Sequence, residues 1–224
     1  MDAGPGADLG GLGWYVGVWV TMTAAMMLPS VVPTVAVYAR VEDERRAGRT
    51  GTTAFVAGYL IAWTVYGLLA YGAYRVAKEA APSFFYRGHA GRYVAAGALV
   101  AAGLYELTPL KQVCLRHCRA PLHFVLGAWR NGTSGAMRMG LDHGRYCVGC
   151  CSGLMVALFA LGLMSLTWMA AVALIILVQK VLPYGERFAL VSAAAFVVLG
   201  IWVAAAPGSV PGLHIPSASL MRMG

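Results

Sequence analysis

The chain has 224 residues, 59% of them hydrophobic and 12% charged, with a net charge of +8 and a mean hydropathy of +0.68. Soluble domains carry roughly 25% charged residues, so this composition argues against a soluble domain and for one compact helical membrane unit. The basic residues sit between apolar runs, where Lys and Arg mark cytoplasmic loops, and that placement argues against nucleic-acid binding as the reason for the charge.

Met1 to Gly13 contains no Lys or Arg. It lacks the charged start of a secretory signal peptide, so the first apolar segment reads as a retained helix. The expected organisation is an N-terminal tail over 1–13, a transmembrane metal-binding domain over 14–206 and a poorly ordered C-terminal tail over 207–224. Segment one runs from about Trp14 to Ala39, with Trp14, Tyr15 and Trp19 placed as an interfacial aromatic belt. Pro29 and Pro33 remove helical hydrogen bonds and predict a kink or unwinding in its second half. After the charged stretch Arg40 to Arg49, segment two spans about Thr53 to Tyr74, and a basic stretch, Arg75 to Arg92, leads to segment three, about Tyr93 to Thr108.

Residues 109–146 form the long polar section, with six Lys or Arg and three His. It reads as amphipathic or re-entrant helices at the membrane face, with the Gly-rich piece Asn131 to Gly144 as a turn region. From Cys147 to Val178 the chain stays apolar for 32 residues. As a single helix this is about 48 Å, longer than a hydrocarbon core of about 30 Å, so it either tilts or breaks near Gly162 to Ser165. The last segment runs from about Phe188 to Ala206. The fold expected is an all-α polytopic bundle of about five to six spans. With five spans, 11 Lys or Arg fall on the side of the cysteine-bearing section and 6 on the other. The positive-inside rule then places the N-terminus outside and the cysteines toward the cytoplasm, in an inner (plasma) membrane of bacterial type.

All five cysteines fall within 38 residues, in Cys114-Leu-Arg-His117-Cys118 and His143-Gly-Arg-Tyr-Cys147-Val-Gly-Cys150-Cys151. On helices, Cys114, His117 and Cys118 share a face, as do His143, Cys147, Cys150 and Cys151. Sulfur and imidazole donors gathered in this way suit Cu(I), Zn(II) or an iron–sulfur centre, not Mg or Ca. The alternative is that the thiols are small hydrophobes packed in a core. An odd, clustered count does not read as an extracellular disulfide framework. In segment one, Met22 and Met26 lie at i, i+4 beside Met27, and thioethers bind Cu(I) without deprotonation. Pro29 frees the carbonyl of Ala25 near these sulfurs. Ordinary helix packing explains the same methionines.

Glu106 lies at the edge of an apolar helix, where a carboxylate is costly unless paired. It is the one catalytic candidate, with Tyr105 as a possible donor to it. The competing account is an ion pair, for which Lys111 is the neighbouring cation. His117 and His143 are the preferred nitrogen ligands, His123 is a further candidate for the same pocket, and His89 and His214 read as solvated. Asp142 could orient His143 from behind. No nucleophile elbow, P-loop, dinucleotide fingerprint or His-Glu-x-x-His is present. Cys147-Val-Gly-Cys150 has the spacing of a thiol redox pair, without a thioredoxin-like context.

Three pieces, Met22-Thr-Ala-Ala-Met26-Met27-Leu-Pro29, Tyr105-Glu-Leu-Thr-Pro109-Leu-Lys111 through Cys118 and Pro121, and Gly144-Arg-Tyr-Cys147-Val-Gly-Cys150-Cys151, carry a resemblance over roughly residues 14–203. There the chain resembles the DUF2182 family of predicted metal-binding integral membrane proteins, some of them described as copper chaperones. Ser152 stands where that family usually has an aromatic, and Gln179-Lys180 where it tends to have Glu-Lys. The resemblance implies metal binding. The residues themselves point to copper, with zinc or iron as alternatives, at Cys114, His117, Cys118, His143, Cys147, Cys150 and Cys151 and at Met22, Met26 and Met27. The function expected is copper handling or delivery. The rivals are a membrane-bound metal-dependent oxidoreductase or oxygenase, or its accessory subunit, and a structural subunit of a membrane complex. The partners expected are the lipid bilayer and either other membrane subunits or a copper donor or acceptor protein, with no nucleic acid.

Overall fold

Long apolar runs with few charges leave the backbone no partner but itself, and among the described residues every regular element is an α-helix. The computed structural model describes residues 11–45, 50–80, 88–161 and 166–205. Its helices are α1 (Leu12–Glu44), α2 (Thr50–Ala80), α3 (Gly88–Glu106), α4 (Pro109–Arg119), α5 (Pro121–Gly127), α6 (Gly132–Leu161), α7 (Leu166–Val181) and α8 (Gly185–Ala205). Four of them, α1, α2, α6 and α8, are long and apolar enough to cross a membrane, and the bent pair α3–α4 makes a fifth if it counts as one span. The C-terminal tail, His214, the side chain of His89 and the break expected within 162–165 lie outside the described residues.

Helix α1 continues through Pro29 and Pro33 to Glu44, so its second half is not unwound. Prolines are tolerated inside helices whose freed backbone groups neighbours can re-satisfy, and α2, α5 and α7 pack against α1. Glu42, on the last turn of α1, accepts from the backbone N–H groups of Gly51 (2.7 Å) and Thr52 (2.9 Å) and from Thr52 Oγ1 (2.6 Å). It thereby satisfies orphan donors at the start of α2. The bend of 63° between α3 and α4 falls at Leu107 and Thr108. Thr108 caps α4, accepting from Lys111 N, and Pro109 occupies the first turn, where its missing N–H costs nothing.

The segment Asn131 to Gly144 is not a turn region. Gly132, at φ 78°, is the one positive-φ glycine among the described residues, and helix runs on from it through Gly144. The remaining glycines serve close packing. Gly140 and Gly144 on α6 meet Phe55, Tyr59 and Ala62 on α2, and Gly58 on α2 meets Met137 and Leu141 on α6. A Cβ on Gly140 would lie 2.0 Å from Phe55 O, and one on Gly58 would lie 2.2 Å from Met137 O. Small residues at four-residue spacing let two membrane helices approach at backbone distance. Helix α6 is thus the centre of the bundle, with α2, α3, α4 and α7 against it. Outward positions such as Leu69, Leu190, Val198 and Ile201 are exposed and apolar, as lipid-facing residues are.

Candidate metal centre

Cys147, Cys150 and Cys151 stand at i, i+3 and i+4 on α6, one face of one helix. Their sulfurs all lie within 4.8 Å of one another, and all three side chains are buried. Cys150 Sγ is 3.4 Å from Cys151 Sγ and 3.8 Å from Cys118 Sγ of α4. Cys114, one turn earlier on α4, is buried in the notch left by Gly149, where an added Cβ would come within 2.6 Å of its sulfur. Two helices therefore bring all five free thiols to one region.

Polar groups from two other helices meet the same cluster. Lys180 of α7 donates to Cys147 Sγ at 2.8 Å and to Ser30 Oγ of α1 at 3.2 Å. Tyr59 Oη of α2 lies 3.0 Å from Cys147 Sγ. An ammonium has donors only, so at its contact with Cys147 the sulfur accepts. Neither Lys180 nor Tyr59 figures among the sequence candidates. A lysine at the end of an apolar helix is most simply read as snorkelling to the interface, and Tyr59 lies in an unbroken apolar run.

The other candidates separate. His117 is exposed, stacked on Tyr146 at 4.4 Å with Nδ1 3.0 Å from Val113 O, and points away from the buried face that carries Cys114 and Cys118. His143 is buried, one turn before Cys147, yet it is not a member of the group of three sulfurs. His123 is exposed. Asp142 does not orient His143: it faces Arg130 (3.8 Å) and Arg145 (3.7 Å), because its side chain leaves α6 toward the surface. Met22, Met26 and Met27 are buried on α1 in the same core cluster as the cysteines.

Glu106 is fully buried and paired with Lys111, also fully buried. Gln179 Nε2 donates to Glu106 Oε2 at 2.9 Å, and Lys111 Nζ donates to Gln179 Oε1 at 2.8 Å. Ser192 Oγ lies 3.3 Å from Glu106 Oε2. Glu106 is thus paired within the fold, as its ion-pair account expects. Tyr105 turns instead to α6, donating to Gly149 O at 2.5 Å. This network ties the α3–α4 bend to α7 and α8, and Gln179 is the chain neighbour of Lys180.

The donor set fits a soft cation: several sulfurs within reach of one point, no disulfide among them, and no carboxylate in the group. A family model of copper chaperones, PpoB2, matches residues 16–203. No curated protein and no solved structure matches the chain. The match runs from α1 to α8 and takes in every cysteine, so the chain belongs to the PpoB2 copper-chaperone family.

Proposed function

We propose that this protein is an integral membrane carrier that binds Cu(I) at Cys147, Cys150 and Cys151, with Cys118 beside them, and passes it to an acceptor protein. The observation that carries this reading is the buried trio of free sulfurs on one face of α6, its atoms within 4.8 Å of one another. Thiolate sulfur prefers Cu(I) to harder ions, and family membership supports copper over zinc or iron. Met22, Met26 and Met27 supply thioethers on α1, whose Ser30 shares Lys180 with Cys147. The DUF2182 resemblance and the copper-chaperone family are, on this reading, two descriptions of one group of chains. The bundle sits in an inner membrane of bacterial type, N-terminus outside, with the basic section of α4–α6 toward the cytoplasm.

Protein purified from native membranes without added metal should contain copper. Replacing Cys147, Cys150 and Cys151 together by Ser should lower the Cu(I) stoichiometry by one ion and abolish thiolate-to-copper absorption, while His89→Ala changes neither. Full stoichiometry with unchanged absorption in the folded triple variant would reduce the cluster to packing.

A further inference from the structure

Helix α6 carries a second set of soft donors on the other side of Cys147 from Cys151. Met139, His143 and Cys147 follow at four-residue steps, each about 6 Å along the axis, and all three are at most 2% exposed. The imidazole of His143 is walled by the rings of Phe124, Phe55 and Tyr59, with centroids 5.0, 6.1 and 6.1 Å away. Its Nδ1 is buried and has no hydrogen-bond partner. A native interior rarely leaves such a nitrogen unsatisfied, and the adjacent Asp142 is turned to Arg130 and Arg145. Met139 is buried among Phe55 and Phe124, two of the same rings. Side chains four residues apart on a helix have their Cβ atoms about 5–6 Å apart, so Met139 and His143 share one face of α6; Met139 Sδ accepts from Arg130 N at 3.3 Å, a contact that an ion at the sulfur would compete with.

From this pair the aromatic packing continues outward. Phe55 stacks on Tyr38 at 5.0 Å, and Tyr38 on Trp129 at 5.2 Å. Tyr38 and Trp129, with Glu42 and Arg45, line a surface cleft at this end of the bundle. The pair thus lies between the thiol cluster and a surface opening.

We propose that His143 Nδ1 and Met139 Sδ form a further Cu(I) site, separate from the thiol cluster and one turn of α6 nearer the cleft. Both donors are neutral, so a monovalent soft cation brings a single charge into this aromatic enclosure, where a divalent ion would bring two. The ion needs no deprotonation of either donor. The inference rests on the Cu(I) reading of the thiol cluster and adds a station through which the ion leaves it.

The test uses the full chain in lipid nanodiscs, titrated with Cu(I) against a chromophoric chelator, with X-ray absorption at the copper edge. His143→Phe should bind one Cu(I) fewer than the unaltered protein and lose the nitrogen component of the absorption signal, keeping thiolate-bound copper. Met139→Leu conserves volume and should lose the same ion, which keeps the test valid if His143→Phe does not fold. The Cys147, Cys150, Cys151 triple Ser variant should retain an ion with nitrogen and thioether scattering. Unchanged stoichiometry in both single variants, or no copper in the triple Ser variant, overturns the second site and leaves the cluster standing. Copper-free unaltered protein overturns both.

Discussion

The Glu106–Lys111 pair offers the sharpest separation between a structural and a catalytic carboxylate. Replacing one partner of a buried ion pair leaves a charge without compensation and costs about 3–5 kcal/mol. The two halves are not equivalent here. With Lys111→Met, Glu106 keeps Gln179 Nε2 at 2.9 Å and Ser192 Oγ at 3.3 Å, so the cost falls near about 3 kcal/mol. With Glu106→Met, Lys111 keeps Gln179 Oε1 at 2.8 Å as its one remaining partner in this network, and the cost moves toward about 5 kcal/mol. The double variant removes both charges from the core and should lie within about 1–2 kcal/mol of the unaltered protein, against a sum of about 8 from those single costs. Reversible unfolding in mixed detergent micelles measures all four proteins, and a copper titration on each reads the site. Cu(I) stoichiometry in the double variant should equal that of the unaltered protein. Additive losses in the cycle, or copper lost with Glu106 alone, would mean that the carboxylate acts on a ligand and not on Lys111.

Three further outcomes are expected. Gly140→Ala forces a Cβ to within 2.0 Å of Phe55 O and should destabilise the bundle by about 1–3 kcal/mol; Gly97→Ala, with nothing within 4 Å, should change stability by less than about 1 kcal/mol, as the same micelle assay reads. Met22→Leu with Met26→Leu should remove one class of Cu(I) site by competition titration and leave zinc content unchanged; unaltered Cu(I) binding makes the stripe helix packing. Glu44→Cys, at the exposed end of α1, should be shielded from impermeant thiol reagents in intact cells, and labelling from outside reverses the proposed orientation.

What the sequence made legible is what depends on near neighbours. The all-helical bundle follows from apolar run lengths, and the trio at 147, 150 and 151 follows from helical spacing alone. The α3–α4 boundary is written in Thr108-Pro109. Helical spacing failed to sort the histidines: His117 lies three residues after Cys114 and His143 four before Cys147, yet only the second is buried. Which face of α4 turns inward is decided by α6 and α7, not by α4. The glycines of 132–144 were ambiguous for a different reason. Lack of a side chain serves a turn and a backbone-close helix contact equally, and only the partner, the face of α2 that carries Phe55, Gly58 and Ala62, decides between them. Lys180 was hidden because its sulfur partner is 33 residues away.

If the thiol cluster takes up Cu(I) as proposed, its burial determines how the ion would enter. Cys147 Sγ is engaged by Lys180 Nζ and Tyr59 Oη, and a metal ion taking that sulfur replaces at least one of these hydrogen bonds. Uptake is then an exchange of partners at sulfur, not the filling of a vacant hole. The free energy of copper binding is reduced by the bonds given up, and release is helped by their return. The ammonium released from Cys147 still has Ser30 Oγ at 3.2 Å, on the helix that carries Met22, Met26 and Met27. Lys180 thus links the sulfur to α1. Its chain neighbour Gln179 bonds Glu106, Lys111 and Ser192, which hold α7 against α3, α4 and α8. A site that both holds and surrenders an ion, as the proposed carrier would, needs such internal competitors, and in this bundle α2 and α7 supply groups placed to act so.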